Sequence, residues 1–201
     1  MRALQTLLFA AGLAAAGMAH AAPKIGEAAP AFTATDSNGK TVKLSDYLGK
    51  TVVLEWTNDG CPFVKKHYSS GNMQSLQKDA AAKGVVWLSV ISSAPGKQGH
   101  VDGAGANALS KERGASPAAV LLDPSGTVGQ AYEAKTTPHL FIIDAKGKLA
   151  YMGGIDSIAS ADPADIKDAK PYVKLALAEL AAGKPVREAI TKPYGCSIKY
   201  Q

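Results

Sequence analysis

The chain is poor in cysteine and in aromatic residues: its 201 positions carry two Cys, two Trp, four Phe and seven Tyr. Two cysteines leave room for one disulfide at most, so the sequence is no disulfide-dense scaffold. Basic blocks are absent as well. The 22 Lys and Arg are interspersed with 17 Asp and Glu, and with an aromatic fraction of 6% the chain offers nothing that resembles a nucleic-acid surface. The mild net charge of +5 reads as a solvated face. No internal repeat is present, and no low-complexity segment lies beyond the amino terminus.

Long apolar runs are equally scarce, and the single one is at the start. After Met1-Arg2 comes Ala3 to Met18, closed by Ala19-His20-Ala21 before Ala22-Pro23. A positive opening, an apolar stretch and a small-x-small site together read as a secretory signal, with cleavage expected after Ala21. A retained membrane anchor is the competing reading, but the run is short of the ~20 residues a spanning helix needs. The expectation is therefore an exported protein, periplasmic or secreted, with no stable anchor after cleavage. Removal of residues 1–21 leaves 180 (201 − 21) and a formal charge of +4 (5 − 1, for Arg2). That length suits one domain, here residues 22–183, followed by a tail, residues 184–201, that carries Cys196.

Cys61 follows a β-branched apolar run, Val52-Val53-Leu54-Glu55-Trp56, and a turn, Thr57-Asn58-Asp59-Gly60; Pro62 then opens a helix. Proline suits a first helical turn, where its missing N–H would be unpaired anyway. A thiol at that place meets unpaired backbone N–H groups and the positive end of the helix dipole, which favour the thiolate. Lys65 and Lys66 add positive charge, and Asp59 opposes it. In an exported chain the plain alternative is a structural disulfide between Cys61 and Cys196.

Further elements follow from pattern. Ala31–Thr35 and Lys40–Leu44 flank Asp36-Ser37-Asn38-Gly39 as a hairpin. Thr51–Trp56 and Val85–Ile91 read as buried strands around a helix over Pro62–Lys83 with an interruption near Ser69–Asn72. That crossover implies parallel pairing. Ser92–Gly105 reads as a loop, Asn107–Arg113 as a helix, Ala119–Leu122 as a strand and the stretch to Tyr132 as a short helix. His139–Asp144 and Lys148–Met152 form a second hairpin around Ala145-Lys146-Gly147. A last helix runs from Pro171 to Gly183, with Pro185 beyond, and the rest is an extended tail.

The order βαβ, helix, hairpin, helix resembles a thioredoxin-like fold: α/β, a central mixed sheet flanked by helices, preceded by an N-terminal hairpin. Thr136-Thr137-Pro138-His139-Leu140-Phe141-Ile142-Ile143-Asp144 is similar to the Thr-Pro strand of thioredoxins and redoxins. The resemblance implies a cis bond at Pro138 and a loop that faces the active cysteine. With Gly26-Glu27-Ala28-Ala29-Pro30-Ala31-Phe32, Leu44-Ser45-Asp46-Tyr47 and Gly60-Cys61-Pro62-Phe63, the chain resembles the exported redoxins of the alkyl hydroperoxide reductase and thiol-specific antioxidant group. The tail Pro193-Tyr194-Gly195-Cys196 is similar to a peroxiredoxin-like branch of that group.

Two departures from the pattern bear on chemistry. Where thioredoxins carry the second thiol of Cys-x-x-Cys this chain has Val64, which resolves nothing. Where peroxiredoxins carry a proline and a Thr or Ser ahead of their cysteine it has Leu54 and Asn58, and Arg113 and Arg187 lie far from both motifs in sequence. What the resemblance implies is a single nucleophile, Cys61, with Cys196 as its distant resolving partner. It would act on a thiol or disulfide protein or a small peroxide, be recycled by an unidentified reductant, and need no cofactor. Thr137 and Pro138 would form the substrate edge, with the Thr137 backbone pairing an added peptide strand. Trp56 would shield the thiol or fill the core, and Asn58 would bond the thiolate or shape the turn. Two alternatives stay open: a non-catalytic protein with a static Cys61–Cys196 bridge, and a copper or other metal-binding assembly factor using Cys61 with His139 or His67.

Overall fold

The computed structural model describes residues 22–201; the expected signal peptide and its cleavage site lie outside them. Strands β1 (Thr33–Asp36), β2 (Thr41–Lys43), β3 (Val52–Trp56), β4 (Val86–Ile91), β5 (Ala119–Leu122), β7 (His139–Ile143) and β8 (Leu149–Gly153) build one sheet in the order β2-β1-β5-β4-β3-β7-β8. β3 and β4 are parallel, as are β4 and β5, whereas β7 runs antiparallel to β3 and β8. This is the mixed sheet of a thioredoxin-like fold. A separate two-stranded ribbon pairs β6 (Thr136–Thr137) with β9 (Cys196–Ser197).

Helices α1 (Pro62–Ser69), α2 (Asn72–Ala82), α3 (Gly103–Glu112), α4 (Thr127–Ala131) and α5 (Tyr172–Ala181) accompany the sheet. The expected interruption is real: α1 ends at Ser69 and Gly71, in the left-handed region at φ +75°, caps α2. Strand alternation divides the apolar residues. Val52, Leu54, Trp56, Leu88, Val90, Phe141 and Ile143 pack into one cluster, while Val53, Trp87, Leu140 and Ile142 pack into another with Cys61, Val64 and residues of α2 and α5.

Helix α3 departs from expectation by starting at Gly103, four residues before Asn107. The Asp102 side chain accepts a hydrogen bond from the Gly105 N–H (2.8 Å) and satisfies an otherwise unpaired helix-start donor. Gly103 is there because of packing: a β-carbon would collide with the Ser37 carbonyl oxygen. Single 3-10 turns at Leu44–Tyr47 and Pro163–Lys167 were not legible in the pattern, so Leu44 leaves the hairpin strand to begin a turn.

Candidate active site around Cys61

Cys61 is the N-cap of α1, with extended backbone and Pro62 in the first turn. Its carbonyl accepts from the N–H groups of Val64 (3.1 Å) and Lys65 (2.9 Å), and its own N–H donates to Asn58 O (3.1 Å). Asn58 holds the turn: its Oδ1 accepts from Gly60 N–H (2.9 Å) and its Nδ2 donates to Gln98 O (3.2 Å). Both groups of the side chain serve the backbone, so Asn58 shapes the turn and does not bond the sulfur. Gln98 returns a bond from Nε2 to Gly60 O (3.1 Å), latching the following loop onto the cysteine turn.

Cys61 is fully buried, and its sulfur meets two groups that are far away in sequence. The Thr137 carbonyl, at the end of β6 and before the cis Thr137–Pro138 bond, lies 3.1 Å from it. The Cys196 sulfur lies 2.7 Å away, across 135 positions, with both thiols free. The tail reaches this place because Cys196 pairs with Thr137 in the β6–β9 ribbon. Cys196 itself is partly exposed. Burial pushes the Cys61 thiol up, but hydrogen bonding with Cys196 and Thr137, joined by the backbone of Val64 and Cys196, outweighs it and brings it below the ordinary cysteine value. The Thr137 hydroxyl is buried and has no hydrogen-bond partner among the described residues. Cys196 moves oppositely, to about 11, through burial and then through its hydrogen bond and charge interaction with Cys61. One sulfur is thus biased to thiolate and its neighbour to thiol.

A buried polar cluster fixes the tail next to this pair. Tyr194 OH donates to Asp156 Oδ1 (2.5 Å) and contacts His67 Nε2 (3.1 Å). Lys66 Nζ, fully buried, donates to Ile158 O (2.9 Å) and lies 3.6 Å from Asp156 Oδ2. His67, the other histidine of the metal-binding alternative, is buried: Asn72 Nδ2 reaches its Nδ1 (2.9 Å), and burial lowers it to about 4 against a raising contribution from Asp156. Of the two lysines beside the thiol only Lys65 faces water. The sequence reading missed Asp156 and the role of Tyr194; an aromatic residue two positions before a tail cysteine was the available signal.

Other expected residues fall elsewhere. Trp56 lies on the opposite face of the sheet from Cys61, its ring 5.5 Å from Tyr132 and 5.1 Å from Phe141, with Nε1 donating to Ser92 Oγ (3.0 Å). It fills the core and does not cover the thiol. His139 follows the same face: its ring sits 4.4 Å from Phe141 and its Nδ1 accepts the Lys135 N–H (3.2 Å), so β7 turns it away from the side of Leu140 and Ile142, where Cys61 packs. Among the described residues no group of three or more His, Cys, Asp or Glu is placed to hold a metal ion. Arg113, remote in sequence, pairs with Asp59 two positions before Cys61 and lies over the Tyr68 ring, which offsets the acid that opposes the thiolate. Glu55 is fully buried in β3 and accepts from Tyr68 OH (2.8 Å), Trp87 Nε1 (2.8 Å) and Ser89 Oγ (3.1 Å); burial pushes its carboxyl up. An acid inside an otherwise apolar strand was its signal in the sequence.

Gly195 sits where the tail passes closest to the Thr137 backbone. Its φ is +134°, and a β-carbon there would run into the Thr137 carbonyl oxygen. Gly195→Ala is expected to lose about 1–3 kcal/mol through strain at that backbone and to lift Cys196 from Cys61. Iodoacetamide labelling of Cys61 in the native protein checks this, since a docked tail keeps that sulfur covered.

The comparisons with known proteins agree with the geometry. The AhpC/TSA family model matches residues 25–152, a stretch that holds Cys61, Thr137 and Pro138 but not Asp156, Tyr194 or Cys196. The thiol-disulfide oxidoreductase ResA of Bacillus subtilis (strain 168) is 30% identical over 126 residues, 62% of this chain and 64% of ResA. The match therefore spans less than two thirds of that relative's length. An uncharacterized conserved protein from Geobacillus kaustophilus has a solved structure that superposes with TM-score 0.77 at 28% identity, covering 89% of this chain and 93% of that one. The thioredoxin domain of a thiol-disulfide oxidoreductase from Bacteroides vulgatus shares the fold at TM-score 0.52 and 21% identity, over 72% of this chain and 96% of that one.

Proposed function

The chain belongs to the AhpC/TSA family, and from that membership we propose that it is an exported thiol–disulfide oxidoreductase with Cys61 as nucleophile and Cys196 as resolving thiol. The observation that carries this reading is the 2.7 Å approach of the two sulfurs across 135 positions, with Cys61 biased toward thiolate and Cys196 toward thiol. Export rests on the sequence pattern of residues 1–21.

In the forward direction the Cys61 thiolate attacks one sulfur of a substrate disulfide, forming a mixed disulfide and expelling the other sulfur as a thiolate that takes up a proton. Cys196 then loses its proton and attacks Cys61 Sγ. The internal Cys61–Cys196 disulfide forms and the second substrate thiol leaves, so the substrate is reduced and the pair oxidised. A dithiol reductant resets the pair. A peroxide would enter by the same sulfur, with Cys61 carried to a sulfenic acid that Cys196 condenses with loss of water. Disulfide exchange is favoured because Leu54 and Asn58 stand at the positions where the peroxide-activating residues of peroxiredoxins would be.

The test is a redox titration of the protein lacking residues 1–21, read by thiol trapping and intact mass. A reversible internal disulfide more oxidising than about −270 mV is the expected result. Cys61→Ser abolishes exchange, and Cys196→Ser stalls at the mixed disulfide. A bridge that resists reduction until the protein unfolds would make the pair a staple and refute cycling.

A further inference from the structure

The β6–β9 ribbon has an odd composition: one strand is the loop that precedes Pro138 and the other is the far end of the chain. Thr136 pairs with Ser197 and Thr137 with Cys196, antiparallel. Cys196 therefore approaches Cys61 as a cysteine carried on an added strand, in backbone register with the Thr137 carbonyl that also contacts the Cys61 sulfur. We infer that residues 193–198 fill the strand position that a cysteine-bearing segment of a partner polypeptide takes at Thr136–Thr137, so that the tail decides which disulfides Cys61 meets. This rests on the exchange reading above and adds to it a substrate class and the element that selects for it.

Three observations support the assignment. Cys61 is 0% exposed with the tail in place, so no polypeptide disulfide reaches it without displacing residues 193–198. The tail is fastened on both sides of the cysteine. Tyr194 is held by Asp156 ahead of it. Behind it, the Ile198 N–H donates to Lys135 O (3.1 Å), the Ala94 N–H to Lys199 O (2.8 Å) and Tyr200 OH to Ala134 O (2.8 Å). Between these anchors Gly195, Cys196 and Ser197 are not buried, and a short, half-exposed ribbon is the kind of segment that opens locally at low cost.

The fit also specifies the competitor. The residue before the incoming cysteine has to pass the Thr137 carbonyl where any β-carbon would collide, so an extended segment with glycine ahead of its cysteine takes the edge best. Backbone pairing supplies the remaining contacts, as in strand addition generally. A small disulfide needs no such edge.

The experiment uses two proteins lacking residues 1–21. Cys196→Ser keeps the tail but removes the internal disulfide; Cys196→Ser combined with Gly195→Ala frees the tail. Each is reacted with hydroxyethyl disulfide and with the disulfide dimer of a peptide copying residues 191–200, and adduct formation at Cys61 is followed by mass. If the tail is docked in most molecules, the peptide disulfide reacts roughly tenfold or more faster with the double variant, in proportion to the undocked fraction. Hydroxyethyl disulfide gains less. Tyr194→Phe on the Cys196→Ser background removes one anchoring hydroxyl and gives an intermediate gain, which keeps the test available should the double variant not fold. Equal peptide rates in docked and undocked proteins, with amide exchange confirming release of Thr136 and Thr137, overturn the inference. Failure of Cys61 to react with either disulfide in every variant overturns the exchange reading itself.

Discussion

Asp156→Ala should lower the unfolding free energy by about 3–5 kcal/mol, the cost of leaving a buried charge without its partner. Lys66 is fully buried, and its ammonium donates to the Ile158 carbonyl at 2.9 Å and lies 3.6 Å from the Asp156 carboxylate and 5.4 Å from the centre of the Tyr194 ring. The same carboxylate accepts from Tyr194 OH (2.5 Å) and the Ile158 N–H (3.1 Å). Alanine removes all of these at once. Urea unfolding at pH 7 measures the loss, and a change below about 1 kcal/mol would show that the pair is not what holds Lys66 inside. The variant also unties Tyr194, so Cys61 should become accessible to iodoacetamide, joining the stability of the α1 face to the exposure of the thiol.

The second large effect is a pH dependence. Burial, and then the neighbouring Lys135 charge, lower His139 to about 3 from the ordinary histidine value of 6.5. Below pH 6.5 the unfolded chain binds a proton at this residue while the folded chain does not, so stability falls as the solution is acidified. Each pH unit in that window is worth about 1.4 kcal/mol. Between pH 7 and pH 4 the wild-type chain should therefore lose about 3 kcal/mol that His139→Gln does not lose. The stability gap between the two proteins is the quantity to measure, because groups of opposite sign, such as Glu55 with its raised carboxyl, cancel in it. A gap constant with pH would mean that His139 is protonated in the folded state. His67, lowered to about 4, adds a loss of the same sign in both proteins.

Most of the sheet was legible in the sequence because each strand carries its own local signature. The runs Val52–Trp56 and Val86–Ile91 are apolar except for Glu55 and Ser89, as suits strands covered on both faces, and the turns at Asp36–Gly39 and Asp144–Gly147 hold glycine where φ is +81° and +77°. The start of α3 escaped because Gly103 and Gly105 looked like loop; the reason for Gly103 was the passage of the Ser37 carbonyl, a contact 66 positions away in sequence (103 − 37). Whether Trp56 shields the thiol or fills the core, and whether His139 faces Cys61, stayed open in the sequence because a strand has two faces, and local pattern does not say which face holds the thiol when both are apolar.

The sequence by itself determined the fold, the place of Cys61 at a helix start and the two positions, 61 and 196, between which a disulfide can form. These depend on local periodicity, on proline and glycine, and on counting. Only the tertiary structure decided that the tail is a strand seated on Thr136–Thr137, that Arg113 answers Asp59, and that Lys66, His67, Asp156 and Tyr194 share one buried site. Such pairings depend on which surfaces the sheet brings together, and residues tens of positions apart have no local pattern that records it.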